Sequence, residues 1–392
     1  MQYFSDKDLE RAQPKDILSR MLSMKWSVTS DRSSTGRDSV QTTPDKAPQE
    51  TYRQVGKGQC STVYALTGTS QVIKLPNADR TDSLRHDYRR HDYHMQIAVE
   101  QGFDTAIISD RANISFPRPS CWIWEEDDSF WKAHGSSFDE QASVPSDGFI
   151  SSRIHPVPLC VREALIDRFY PAPSQPRTPL LQTLWNGLAS LISTPPSKPA
   201  KCYLLQDPDN RDCLIRIYLD RRSNTARNPE TFHLRNFPLH VNEMEQLGLD
   251  VDLFAKTMAQ SIAILHWRSC VDADGVEFVL GRAPSLIGTD AQRDAVGMWL
   301  LDFDQCQSFD DDDPDTVKDL VDRFLFNDPY CPRPGSRDVK DQRLWEIFRW
   351  WYLKASVELF EDDTTPRDFI QGVEEKAIEF SVGKLFGCKE VL

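Results

Sequence analysis

The sequence predicts an α+β protein of two lobes, a small β-rich N-lobe followed by a larger, mainly helical C-lobe. Three observations carry this. Two β-like runs within Tyr52–Leu66 flank a glycine pair, and a third short apolar run follows at Gln71–Leu75. The charged stretch Ser83–Gln101 then reads as a helix, polar on one side. Further on the pattern is helical: Phe254, Met258, Ile262 and Leu265 share one face of Asp250–Trp267, and Leu344–Phe360 carries Phe348, Trp351 and Tyr352.

The segments in chain order support that division. Ser27–Glu50 has almost no large apolar residues and cannot offset its own ordering entropy. Residues 1–50 are therefore expected to be a disordered tail, with no more than a helical turn across Ile17–Trp26. The N-lobe is expected over 51–155 and the C-lobe over 156–392. Glu125–Gly148 is polar and acidic and reads as a loop. Arg153–Tyr170 contains an amphipathic helix with Leu165 and Phe169 at i, i+4. Residues 171–199 are dense in proline around one short apolar helix, Leu180–Ile192, and form an insertion in the C-lobe. Cys202–Leu205 and Leu214–Leu219 are strand candidates. No repeat of fixed period occurs.

Composition narrows the function classes. The chain has 392 residues, 46 Lys and Arg against 60 Asp and Glu, and a formal charge of -14. Nucleic-acid binding needs a basic face, and a polybasic membrane anchor needs clustered cations, so neither partner is expected. The 9 cysteines are scattered without a CxxC pair, which points away from a zinc cluster or a thioredoxin-type centre. Met1–Arg20 lacks the apolar core of a secretory signal. A cytoplasmic or nuclear location follows from these features.

Four constellations bear on chemistry. The first is the hairpin Val55-Gly56-Lys57-Gly58-Gln59-Cys60-Ser61-Thr62-Val63. Glycines there let backbone N–H groups approach phosphates without a Cβ in the way, with Ser61 at the place of a third glycine. A plain tight hairpin uses the same residues. It is neither a P-loop nor a dinucleotide-binding turn, because a strand follows it rather than a helix. The second is Lys74 on the apolar strand Val72-Ile73-Lys74, where an ammonium needs a partner. Asp87, Asp92 and Glu100 lie on the next helix, and Asp92 is selected by its place in the pattern described below.

The third constellation follows the strong helix: Leu265-His266-Trp267, then Val271-Asp272-Ala273-Asp274-Gly275 and an apolar strand. A phosphotransfer base must be a carboxylate within reach of the acceptor hydroxyl. Asp274 is the first candidate and Asp272 the second; an acidic turn around Gly275 has the same composition. The fourth is Met298-Trp299-Leu300-Leu301-Asp302-Phe303-Asp304, an apolar strand ending in two carboxylates that suit a hard cation such as Mg²⁺. A strand-end turn is the plainer alternative. His86, His91 and His94 share one helix and are read as solvated, and the acidic run Asp310–Asp313 with Asp315 as a loop before a helix start at Thr316.

In this order the four pieces resemble a kinase lobe pair. Asp-Phe-Asp endings are similar to those of small-molecule kinases of the aminoglycoside and choline type. The resemblance implies ATP and Mg²⁺ as cofactors. Gly56, Gly58, Ser61, Lys74 and Asp92 would hold the nucleotide, Asp302 and Asp304 the metal, and Asp274 or Asp272 would act as base. The Asn expected after the base is missing, with Phe278 near its place. No Ala-Pro-Glu anchor follows Asp302, which argues against protein-substrate docking.

A second resemblance rests on longer strings. Phe232-His233-Leu234-Arg235-Asn236-Phe237-Pro238-Leu239, Val276-Glu277-Phe278-Val279-Leu280-Gly281, Trp299-Leu300-Leu301-Asp302-Phe303 and Asn327-Asp328-Pro329-Tyr330 are similar to a fungal domain-of-unknown-function family, number 3669, sometimes labelled zinc-finger-associated. Arg153-Ile154-His155-Pro156-Val157-Pro158 and Cys213–Leu219 fit it as well. The resemblance spans about Arg153 to Phe369. It implies a fungal source and a kinase-like fold without an established reaction. Three functions stay open: a phosphotransferase acting on a small-molecule hydroxyl, a pseudokinase or interaction module with a small-molecule or protein partner, and an accessory protein of fungal secondary metabolism.

Overall fold

The computed structural model describes residues 2–29, 51–58, 61–77, 82–138, 142, 144–171, 198–225, 227–284, 293–310, 313–326, 329–361 and 364–385. Most of the proline-rich insertion and the short apolar helix expected within it lie outside these residues.

The expected disordered tail is corrected over residues 2–29. Strand β1 (Gln2–Phe4) and strand β2 (Trp26–Thr29) pair in parallel around two short helices, Asp6–Arg11 and Pro14–Met21. Ser5 caps the first helix reciprocally with Asp8. Ile17, Leu18, Met21 and Leu22 are buried, and the helix bearing them packs against helix Leu159–Phe169. The low apolar content that marks the following stretch is absent from this one. A stripe at i, i+1 and i+4 is enough to dock a short helix once a partner face exists.

The small lobe is an antiparallel sheet of β3 (Tyr52–Lys57), β4 (Ser61–Leu66), β5 (Gln71–Pro76), β6 (Pro119–Ile123) and β7 (Gly148–Ser152), in the order β3-β4-β5-β7-β6. Tyr52, Tyr64, Ile73, Leu75, Ile123 and Trp131 form its core. Because strand side chains alternate, burying Ile73 and Leu75 turns Lys74 to the other face. The loop expected over 125–148 contains a helix, Asp128–His134, capped by Asp127. Its Trp131 and the following Phe138, stacked on Tyr52 with centroids 4.0 Å apart, cover the core. Three aromatics within nine residues outweigh the acidic composition of that stretch.

Helix Asp82–Thr105 joins the lobes. Met95, Val99 and Phe103 recur every fourth residue and are buried in the core of the large lobe. A Cβ on Gly102 would lie 1.9 Å from Ser269 Oγ, so the helix end meets the loop after helix Val251–Trp267 at a distance only glycine allows. The hinge, residues 153–158, is extended by Pro156 and Pro158 and passes β10 (Glu277–Arg282) at Gly281, where Arg282 donates to His155 O at 2.9 Å.

The larger lobe holds a second sheet beside its helices. With β8 (Ile215–Tyr218), β9 (Phe237–His240) and β11 (Arg293–Leu301), the order is β1-β2-β11-β10-β8-β9. Cys202–Leu205, expected as a strand, lies in helix Lys198–Gln206; four residues are too few for periodicity to separate the two. Helix Val251–Trp267 is buried along nearly its whole length and packs on helix Val339–Leu359. Helices Thr316–Phe326 and Thr364–Leu385 pair beside them, with Val321 Cγ2 2.9 Å from where a Cβ on Gly372 would sit. The α+β class therefore holds, with the expected order of hairpin, strand, helix and a mainly helical half, to which β6, β7 and the second sheet are added.

Leu18 is fully buried. Leu18→Ala is expected to lower stability by about 2–5 kcal/mol. Urea denaturation measures this, and a change below about 0.5 kcal/mol would return the head to a loosely attached tail.

Candidate functional site

Four of the residues selected from the sequence converge between the lobes. Lys74, in the centre of the small sheet, pairs with Asp92 Oδ2 at 2.8 Å and Asp302 Oδ1 at 3.7 Å. Asp92 lies one turn before Met95 on the inward face of its helix and is almost wholly buried. Burial opposes the Lys74 ammonium, but Asp92, Asp302 and Asp304 outweigh it and its pKa is raised. Burial pushes the Asp92 carboxyl up against the pull of Lys74.

Asp302 stands at the end of β11 with φ +68°, in the left-handed region that disfavours a side chain. Its side chain keeps 36% exposure, yet partial burial pushes its carboxyl up to about 7, with Lys74 opposing and Asp304 and Glu277 adding to the rise. Asp304 is 6% exposed, and its Oδ1 has no hydrogen-bond partner among the described residues; the same holds for Asp92 Oδ1. Strain at a strand end beside unsatisfied buried oxygens is a local cost that ordinary packing does not require.

Glu277 belongs to the same cluster and was missed. It opens β10 opposite Leu301, the residue before Asp302, and its carboxylate pairs with Arg216 at 2.7 Å. Burial raises its pKa, with Arg216 opposing and Asp304 adding to the rise. The period-2 pattern held the signal: Phe278 is fully buried in the core, so the preceding residue faces the other way.

Asp272 and Asp274 lie on an adjoining loop. Asp272 Oδ1 accepts from the amides of Asp274 at 3.1 Å and Gln307 at 2.9 Å, and its Oδ2 pairs with Arg323 Nε at 3.0 Å. Asp274 Oδ2 pairs with Arg323 Nη1 at 3.1 Å. Burial raises the Asp272 carboxyl. Cys306, fully buried, donates from Sγ to Asp274 O at 3.2 Å, and its thiol is raised by burial and by the four surrounding aspartates, 272, 274, 302 and 304. The two acidic loops are thus packed side by side.

The glycine hairpin is shaped by its own contacts. Gly56 marks a register shift in β3–β4, and the Gly58 amide donates to Ser61 O at 2.8 Å. That amide is already used inside the hairpin; residues 59 and 60 at its tip lie outside the described residues. His91, expected to be solvated, makes a 2.6 Å hydrogen bond with Cys306 O, because the helix lies against the Asp302 loop; His94 is exposed, and the side chain of His86 lies outside the described residues. Asp313 and Asp310 close the turn before helix Thr316–Phe326 as read, with Thr316 Oγ1 donating to Asp310 O at 2.6 Å.

Among the described residues no three His, Cys, Asp or Glu side chains stand close enough to hold a metal ion by themselves. The oxygen donors of Asp302 and Asp304 suit Mg²⁺, which is commonly held by one or two carboxylates together with substrate phosphates and water. Among the described residues no helix is long and apolar enough to cross a membrane.

The family DUF3669, described as "Zinc finger protein", matches residues 298–364, which is well under half of the chain. The matched span includes the strings around Asp302 and Tyr330. Among curated proteins no sequence matches. A solved structure titled "Structure of the microcompartment-associated aminopropanol kinase" is similar at 11% identity, covering 86% of this chain and 94% of that chain, with a TM-score of 0.20.

Removing one partner of a buried pair leaves the other charge uncompensated. Lys74→Met is therefore expected to cost about 3–5 kcal/mol, and Lys74→Met with Asp92→Leu to recover a large part of it. Urea midpoints of the two variants check this, and equal loss in both would show that the pairing carries little of the cost.

Proposed function

We propose that the protein binds a Mg²⁺-nucleotide between its lobes and transfers the terminal phosphoryl group to a small-molecule hydroxyl. The observation that carries this reading is the convergence of Lys74, Asp92, Asp302 and Asp304, with strained φ at Asp302 and an unpartnered oxygen on Asp304. Lys74 would orient the phosphates while Asp92 holds its ammonium in place. Asp302 and Asp304 would hold a magnesium ion that would supply charge neutralisation, without which a polyphosphate would meet four carboxylates, Asp92, Glu277, Asp302 and Asp304. In the transfer, the acceptor oxygen bonds to the γ-phosphorus as its bond to the β–γ bridging oxygen breaks. ADP leaves with that electron pair, and the hydroxyl proton passes to a catalytic-loop carboxylate.

A second reading has its own support. Both oxygens of Asp272 are engaged and the Gly58 amide is used within the hairpin. A protein that holds a nucleotide without transferring it, a pseudokinase, has the same cleft.

Thermal unfolding with and without Mg-ATP tests the proposal. Ligand at a hundredfold excess over Kd should add about 2.7 kcal/mol of stability. Lys74→Ala and Asp302→Asn are expected to abolish the shift, and a wild type without one removes the proposal. Affinity should rise with pH across about 7, because below it the cation must displace a proton from Asp302 and above it need not. A titration at pH 6, 7 and 8 measures that slope, up to about tenfold per unit for one proton. A shift without phosphate release supports the second reading.

A further inference from the structure

Arg323 lies on helix Thr316–Phe326, beyond any motif that marks the candidate site, yet it touches both catalytic-loop acids. Its Nε is 3.0 Å from Asp272 Oδ2 and its Nη1 3.1 Å from Asp274 Oδ2. The guanidinium is planar and forked, so one side chain can fix the separation of two carboxylates as a lysine could not. The helix bearing it is firmly seated. Leu320, Val321 and Phe324 are buried, Phe324 meets Trp345, Phe348 and Phe369, and Val321 abuts Gly372.

The two acids differ in what remains of them. Asp272 is 4% exposed, with two amides on one oxygen and Arg323 on the other. Its side chain ties together the catalytic loop, the loop after Asp302 through Gln307, and the helix of Arg323. Asp274 has a more open side chain at 17%, and its ion pair with Arg323 uses Oδ2. Ala273, between them, has φ +59°, a turn that sends the two side chains to one guanidinium.

We propose that Arg323 is a positioning residue that sorts these acids: it locks Asp272 as the anchor of the loop and aims Asp274 as the carboxylate that takes the acceptor's proton. The assignment rests on the phosphotransfer reading for its chemical part, whereas its structural part stands without nucleotide. The proton-transfer step is the one already written, with Asp274 as the receiving group.

A double-mutant cycle in urea, on the full chain without nucleotide, tests the anchor. Arg323→Ala and Asp272→Asn should each lower the midpoint, and together they should lower it by less than the sum. Asp274→Asn should lower it less than Asp272→Asn does. Additive losses, or an equal loss from Asp274→Asn, overturn the sorting. Labelled Mg-ATP with water as acceptor tests the aim. Asp274→Asn should cut phosphate release roughly a hundredfold while keeping the Lys74-dependent thermal shift. Arg323→Lys should retain the wild-type urea midpoint more closely than Arg323→Ala and move the pH profile of release. A wild type that shows the thermal shift but no release, or a pH profile unmoved in Arg323→Lys, overturns Asp274 as the aimed carboxylate. A wild type without the shift removes the nucleotide reading and with it the role of Asp274, and leaves the anchor to be decided by the urea cycle.

Discussion

A buried ammonium on an apolar strand has to be paired, and the Lys74–Asp92 contact meets that requirement in a way that organises the molecule. The lysine belongs to the small sheet and the aspartate to the helix that packs into the large lobe. Pairing them fixes the helix against the sheet. The same helix then reaches the loop after Asp302 through His91 and the end of helix Val251–Trp267 through Gly102. Each lobe has its own apolar core, and this set of polar and close contacts determines how the two face one another.

On the large-lobe side the governing problem is charge. Asp272, Asp274, Asp302, Asp304 and Glu277 crowd two adjacent loops and a strand start, and the cations against them are Lys74, Arg216 and Arg323. The distribution is uneven. Asp272 is satisfied on both oxygens, while Asp304 keeps a buried oxygen without a partner among the described residues. Carboxylates that are fully bonded serve architecture, whereas buried ones left unsatisfied are costly. The net charge of -14 that first spoke against nucleic acid is partly concentrated at this cleft.

Much of the site was legible because local chemistry exposed it. A lysine on an apolar run, a strand ending in Asp-Phe-Asp and an acidic turn after a strong helix are each anomalous within a few residues of sequence. Glu277 was hidden because it resembles any polar residue at the start of a strand, and Arg323 because it sits mid-helix among ordinary charges. The head was misjudged for a related reason: its two short strands and helix gain stability only by docking on β11 and on helix Leu159–Phe169. Cys202–Leu205, a strand candidate by sequence, lies inside helix Lys198–Gln206, because four residues hold too little periodicity to separate the two.

The amino-acid sequence by itself determined the α+β class, the order of the central elements from the hairpin to the helical half, and Lys74, Asp302 and Asp304 as candidates, since these follow from periodicity and from unusual residues in apolar settings; Asp92 was chosen among three helix acids by resemblance. Only the tertiary structure decided which acids share a cation, that Glu277 joins the Asp302 cluster, that Arg323 spans Asp272 and Asp274, and that residues 2–29 complete the large sheet. The reason is physical: strand and helix periods act over a handful of residues, whereas an ion pair between positions 49 or 51 apart exists only after the packing of helices and loops has brought its members within about 3 Å.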